Sequence, residues 1–327
     1  GIDQIASIQA LDTDRVKTYT DADGKAQSYT QTALNIQAKG DINLKANQID
    51  SAGSSYIAGQ NINLTTVDTG FAENAVYNWS GKNKHRTERS DTTDVGTSIS
   101  TKGDSTLVAD NGLNIRAGNL ITDKDLTLSA NAINMTEGRK THTDYRDEYV
   151  KDSDFLSSST SHSIDSNYAN TSVGSQLIGD TVTTLSKGDT NVRGSTIFAT
   201  NGVDMISTDG NININAAEDR FNQYDYRKIT ESGLGALGGL SFGTMSNEQG
   251  RTGDQTGHTG STIASTNGDI NLSAQQGNIQ LQASKLDSLN GDITAQAQRI
   301  DLTDVHNTAT QDQYTKYKSA GLSLSAS

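Results

Sequence analysis

Gly233, Gly235 and Gly238 in SGLGALGGLSFG stand at the spacing of a phosphate-cradling G-x-G-x-x-G loop. That chemistry needs a strand before the glycines, a helix after them and an acidic residue about 20 positions further on. No amphipathic helical period follows Gly238, so the glycines read as a hairpin turn rather than a nucleotide site. Asp21, Asp23 and Gly24 in DADGK resemble the opening of a calcium loop. The closing Glu of such a loop is missing, and the nonapeptide calcium repeat of toxin solenoids does not occur, so a turn is the reading here too.

The five histidines, His85, His142, His162, His258 and His306, are scattered, with none in a metal-ligand spacing. The chain has no Cys, hence no thiol nucleophile, and no G-x-S-x-G elbow accompanies its serines. Glycosidic cleavage on an exposed sheet needs paired carboxylates, or a metal with a base, and no carboxylate pair repeats in register. The sequence therefore predicts no catalytic residue, no metal and no cofactor. The residues with chemistry to offer are of another kind. Lys82, Lys84, Arg86 and Arg89, with His85 among them, follow Trp79 closely, a grouping suited to phosphate-bearing headgroups or to another protein. Tyr224 and Tyr226, and again Leu240 and Phe242, alternate as side chains do on one face of an extended arm.

These residues lie outside a phrase that recurs along the chain: GDINLKA at 40–46, GQNINLTT at 59–66, NGLNIRA at 111–117, GNININA at 210–216, GDINLSA at 268–274 and GNIQLQA at 277–283. Each has period two, with Ile42 and Leu44 on one face and Asp41, Asn43 and Lys45 on the other. Further apolar positions such as Ile49, Ile133, Ile197, Ile263 and Ile300 mark additional strands between phrases. With 32% hydrophobic residues, 5 Phe and no Pro, the chain is too poor in apolar groups for a large globular core. A solenoid resolves this, because each turn needs only a few inward side chains and its neighbours complete their burial. The fold expected is all-β, a right-handed parallel β-helix whose inward Ile and Leu form files and whose outward Asn, Thr and Ser form ladders.

Five segments break the phrase pattern, near 12–32, 68–98, 137–166, 217–247 and 304–327, and each is expected to be a protruding β-hairpin insert on a single β-helix. Nine of the 11 Tyr and the one Trp fall in these inserts, Tyr168 lies just beyond the third, and only Tyr56 sits within a phrase. A net charge of −13 argues against nucleic acid as a partner. The chain opens at Gly1 with no initiator Met or signal segment and reads as a piece of a longer protein.

On the GDINLxA phrases, the insert AEDRFNQYDYRKITESGLGALGGLSFG (217–243) and its shortened relative QYTKYKSAGLSLSAS (313–327), the chain resembles the haemagglutinin repeat region of filamentous-haemagglutinin-type exoproteins over essentially its whole length. The resemblance implies a secreted protein at the bacterial cell surface, exported by two-partner secretion through a dedicated outer-membrane transporter, with the β-helix as a monomeric filament. The inserts favour the second repeat block of such proteins. In contact-dependent growth inhibition effectors that block implies a non-catalytic shaft supporting toxin presentation and delivery, with the target-cell outer membrane or a surface receptor as partner. The alternatives, in order, are the shaft of an adhesin binding host cells or glycans and a β-helical polysaccharide-active enzyme.

Overall fold

The structure, a computed structural model, describes residues 7–9, 12–20, 26–31, 34–45, 48–79 and 83–323, with side chains described from 34 to 45, 48 to 77 and 83 to 322. Among them, each turn of a parallel β-helix consists of three short strands, as in Ser98–Thr101, Ser105–Ala109 and Gly112–Arg116. The third strands of successive turns build an eight-stranded parallel sheet. First and second strands build a fourteen-stranded sheet, continuous because Gln176–Ser186 and Thr196–Ser207 each run round the corner between the two faces.

Inward side chains stack in files. On the third face Ile42, Ile62, Leu113 and Ile133 lie in register, and beside them Leu44, Leu64, Ile115 and Met135, all but Ile115 wholly buried. On the first face Ile49, Ile99, Leu120, Leu177, Ile197 and Ile263 form another file. Full burial of one such side chain contributes about 1.5–3 kcal/mol, so files of Ile and Leu offset a composition that lacks aromatics. Tyr56 is the aromatic exception, buried in the second-face file between Ile36 and Leu107. Its hydroxyl is buried without a well-formed hydrogen bond, and burial drives the phenol pKa well above its ordinary value, an effect the nearby Ser54 hydroxyl only partly opposes.

Outside the third face runs a ladder of six asparagines, each side-chain amide donating to the Asn one turn earlier: Asn63 to Asn43 at 2.7 Å, Asn114 to Asn63 at 2.8 Å, Asn134 to Asn114 at 2.9 Å, Asn191 to Asn134 at 2.9 Å and Asn213 to Asn191 at 2.8 Å. The ladder also explains the uneven phrase spacing of the sequence. Neighbouring rungs are 20 to 22 residues apart where the chain goes straight round, and 51 or 57 apart where an arm intervenes.

A hairpin leaves after the third strand of every second turn. Arm one comprises Val67–Trp79 and Asn83–Val95, arm two Gly138–Ser153 and Ser157–Val173, arm three Ala217–Leu234 and Ser241–Thr259. Arm four is represented by its outgoing strand, Thr308–Ser323. A further pair, Asp12–Thr20 with Ala26–Gln31, forms a separate two-stranded sheet placed before the second strand of its turn. Arms two and three are longer than the 137–166 and 217–247 read from sequence, because their polar return strands carry no apolar alternation that would mark them as strands.

Among the described residues, the turns from which no arm leaves close through a residue in the left-handed region: Ala117 (φ 45°), Gly194 (φ 54°) and Ala283 (φ 44°). Where an arm leaves, the corresponding residues Glu137 and Ala216 lead into the outgoing strand without positive φ. One backbone conformation thus separates the two outcomes of a turn.

Candidate functional site

The arms do not stand singly. They zip side by side into one seven-stranded antiparallel sheet, in which each return strand pairs with the outgoing strand of the next arm. The spacing allows this: two helix turns advance about 9.6 Å along the axis, and a hairpin is two strands wide, again about 9.6 Å. Both sheet faces are largely solvated, which is why the arm sequences lack a hydrophobic alternation.

Buried carboxylates anchor the arm roots. Asp94, at the end of arm one, accepts from Arg116 at 2.5 Å and from the Arg139 amide at 2.8 Å. Its register partner Asp68 is held above the usual carboxylate range, first by sharing a hydrogen bond with Asp94 and then by repulsion from it. Burial opposes the charge on Asp94, but the bonds from Asp68, Arg139 and Arg116 outweigh that and lower its pKa. Glu137, before arm two, is bridged by Arg139 at 2.8 Å and Arg193 at 2.7 Å. Asp219 in arm three accepts from the Ser172 amide at 2.6 Å, the Ser172 hydroxyl at 2.9 Å and Thr259 at 2.7 Å. Arg116 and Arg193 both end third strands of arm-free turns, so the cation comes from one turn and the acid from the arm beside it.

The residues singled out from sequence are redistributed by the period of two. Lys84 and Arg86 lie on one face of the arm sheet and His85 and Arg89 on the other. Arg86 pairs with Glu88 and stacks over Tyr145 at 5.6 Å, while Arg89 pairs with Asp91 at 3.4 Å and stacks over Phe71 at 5.5 Å. Trp79 closes arm one opposite Asn83; Lys82 lies outside the described residues, as do Asp21, Asp23 and Gly24. Tyr224 and Tyr226 are consecutive same-face positions of arm three, on the Lys84 face. Gly233, Gly235 and Gly238 form the tip of arm three, all with positive φ.

Of the histidines, His142 pairs with Asp91, His162 with Asp147 at 2.9 Å, and His258 with Asn307 at 3.1 Å. Among the described residues no group of three His, Cys, Asp or Glu is placed to hold a metal ion. The charged residues from Gly138 to Ser153 lie on one strand, where they meet partners such as Arg146–Glu148 at 3.0 Å.

Two arrangements were not visible in the sequence. At the arm tips, Phe155 and Leu156 of arm two, Leu234, Leu240 and Phe242 of arm three and Leu322 of arm four are all exposed, Phe155 to 93% and Leu322 to 82%. Leu234, Phe242 and Leu322 fall in one cross-strand row. Further in, Lys84, Tyr149, His162, Lys228, Glu248 and Lys316 form another row across arms one to four. His162 lies edge-on to Tyr149 at 5.9 Å and to Tyr226 at 5.4 Å. Glu248 takes Lys228 at 3.5 Å, Lys316 at 3.4 Å and the Tyr314 hydroxyl at 3.3 Å; desolvation works against its charge, but these bonds hold its pKa below the usual range. The Tyr314 ring occupies the space a side chain at Gly250 would fill.

The hemagglutinin repeat family matches residues 79–154, 156–250 and 240–327. Among curated proteins, the chain is 28% identical over 244 residues to the 16S rRNA endonuclease CdiA of Enterobacter cloacae, covering 71% of this chain and 7% of that protein. It is 26% identical over 208 residues to a tRNA nuclease CdiA of Escherichia coli, covering 61% of this chain and 6% of that protein, and 26% identical over 210 residues to one from Yersinia mollaretii, covering 62% and 7%. The chain therefore spans only a small part of the length of these relatives. No solved structure matches. With a parallel β-helix that emits an arm every second turn, and with three repeat matches along most of its length, the chain belongs to the hemagglutinin repeat family, as a filamentous-haemagglutinin-type segment.

Proposed function

We propose that this segment is a non-catalytic shaft of a secreted contact-dependent growth inhibition effector, supporting toxin presentation and delivery at the target outer membrane. In this reading the protein reaches the cell surface through a two-partner secretion transporter of the outer membrane and acts as a monomeric filament. The observation that carries it is the apolar row at the arm tips. Side chains such as Phe155, Leu240 and Phe242 are held away from the rod and left in water, which is unfavourable unless something apolar receives them. Root carboxylates and the shared sheet fix the arms in one plane, so several tips meet a surface together.

The test replaces Phe155, Leu240 and Phe242 by Ser in the full-length effector, positions whose exposure leaves the fold untouched. Secretion and attachment to target cells are expected to persist while killing of target cells falls at least tenfold. Undiminished killing removes this reading. Removing 217–247 altogether is a harsher form of the same test, because it takes away the centre of the arm sheet as well.

The adhesin reading draws on the Lys84 face, where Tyr224 and Tyr314 are exposed, the polar-tipped aromatics that recognition surfaces favour. It requires the purified segment itself to bind host cells or a glycan array saturably, and a blank result discards it.

A further inference from the structure

Two adjacent same-face rows of the arm sheet concentrate positive charge in a chain whose net charge is −13. One row carries Lys84, Lys228 and Lys316, and the next same-face row carries Lys151 and Lys318. Against these five lysines the rows hold one carboxylate, Glu248, which Lys228 and Lys316 share. Lys84, Lys151 and Lys318 form no ion pair among the described residues and are exposed. Rings lie between and beside the charges: Tyr149 and His162 within the first row, Tyr226 next to them. At the strand spacing, Lys84 and Lys228 are about 14 Å apart and Lys228 and Lys316 about 10 Å. No single arm contains this band, which exists only because the arms pair in register.

We propose that the band binds the phosphorylated saccharide of a lipopolysaccharide, with ammonium groups meeting phosphates and the flat rings meeting sugar. Ammonium is a compact charge suited to phosphate, and aromatic rings offer an apolar face with a polar tip. Separated cations on a rigid sheet fit an anion whose charges are spaced along a chain, rather than one small ion. The choice of lipopolysaccharide rests on the reading that the arms meet a target outer membrane. In that setting the tips and the band address different depths of one surface, acyl chains and headgroup sugars. The binding itself can be tested without toxin delivery, so the two ideas fail separately.

The experiment titrates the full 327-residue chain with lipopolysaccharide core oligosaccharide freed of its lipid. The same oligosaccharide after enzymatic dephosphorylation, and a sulfated host-type glycan, serve as comparisons. Saturable binding is expected for the phosphorylated core, weakening at least tenfold on dephosphorylation and as salt is raised. The variant K84Q/K151Q/K318Q removes charges that hold no partner in the fold and is expected to lose the same affinity, with an unchanged circular dichroism spectrum. Phe155→Ser with Phe242→Ser is expected to bind like the native chain. Equal affinity for the dephosphorylated core, or for the triple lysine variant, overturns the proposal. Tighter binding of the sulfated glycan overturns the assignment to lipopolysaccharide and favours the adhesin reading.

Discussion

Ala117 and Ala283 close arm-free turns with φ near 45°, a conformation that costs an L-residue about 1 kcal/mol or more and glycine almost nothing. The equivalent position one arm later is Gly194, with φ 54°. Ala117→Gly is therefore expected to stabilise the protein, by up to about 1 kcal/mol after glycine's greater unfolded-state entropy is set against relief of strain. Ala117 is mostly buried, yet its methyl group is small enough that little packing is lost. Chemical denaturation of the two proteins decides it: a lower midpoint for the glycine variant contradicts the strain. At this scale the sequence was legible in one direction only. Ile42, Leu44 and their counterparts as far as Leu281 announce inward positions by simple alternation and are buried, whereas Ile300 and Leu302, in register with Ile279 and Leu281, are exposed. The left-handed residues do not announce themselves, because Ala carries no signal for positive φ. The pattern RAG at 116–118 against TEG at 136–138 becomes meaningful only once one is seen to close a turn and the other to start an arm.

At the scale of elements, the third-face sheet is held outside by asparagine and inside by aliphatic files, and the two contributions can be separated. Asn114 takes part in two ladder bonds, donating to Asn63 and accepting from Asn134, whereas Asn213, at the end of the ladder, takes part in one. Each bond contributes about 1 kcal/mol net. Asn114→Ala is then expected to cost about 2 kcal/mol and Asn213→Ala about half of that, measured from urea midpoints at equal slope. Equal costs would mean that the side chain's own strand preference, not the ladder, sets the loss. Such a ladder is readable in advance, since NIN and LNI recur with Asn at the same phase of each phrase. The arm sheet is not readable in that way. Its strands alternate polar residues on both faces, and the pairing of Lys84 with Tyr149, or His162 with Lys228, depends on registers between arms far apart in sequence. That is why the grouping of Lys84, Arg86 and Arg89 by proximity in sequence does not survive as one surface, while Lys228 and Lys316, distant in sequence, join Lys84 in one row.

For the whole molecule the governing relation is between two periods: the rod advances one strand per turn, and the arm sheet adds two strands per arm. They match only when arms are two turns apart. Excising residues 98–118, the arm-free turn between arms one and two, tests this directly. The rod can close over the gap, because Ile49 would then stack on Leu120 and Ile62 on Ile133, files of the same chemistry as before. The arms cannot. Arms one and two would leave successive turns about 4.8 Å apart with four strands to place in a space for three, and Arg116, which holds Asp94 at the root of arm one, would be gone. The expected outcome is a protein that keeps its β-rich circular dichroism and still unfolds cooperatively, but is cut by a broad protease between residues 67 and 95 at concentrations that leave the native chain intact. Protection of arm one in that variant would show that the arms need no shared phase with the rod. The two-turn rhythm would then be a consequence of repeat duplication rather than a condition of the fold. If cleavage does follow, the rod acts as the ruler that brings residues from successive arms onto one surface, and any surface built across the arms, the lysine band included, is lost with the phase.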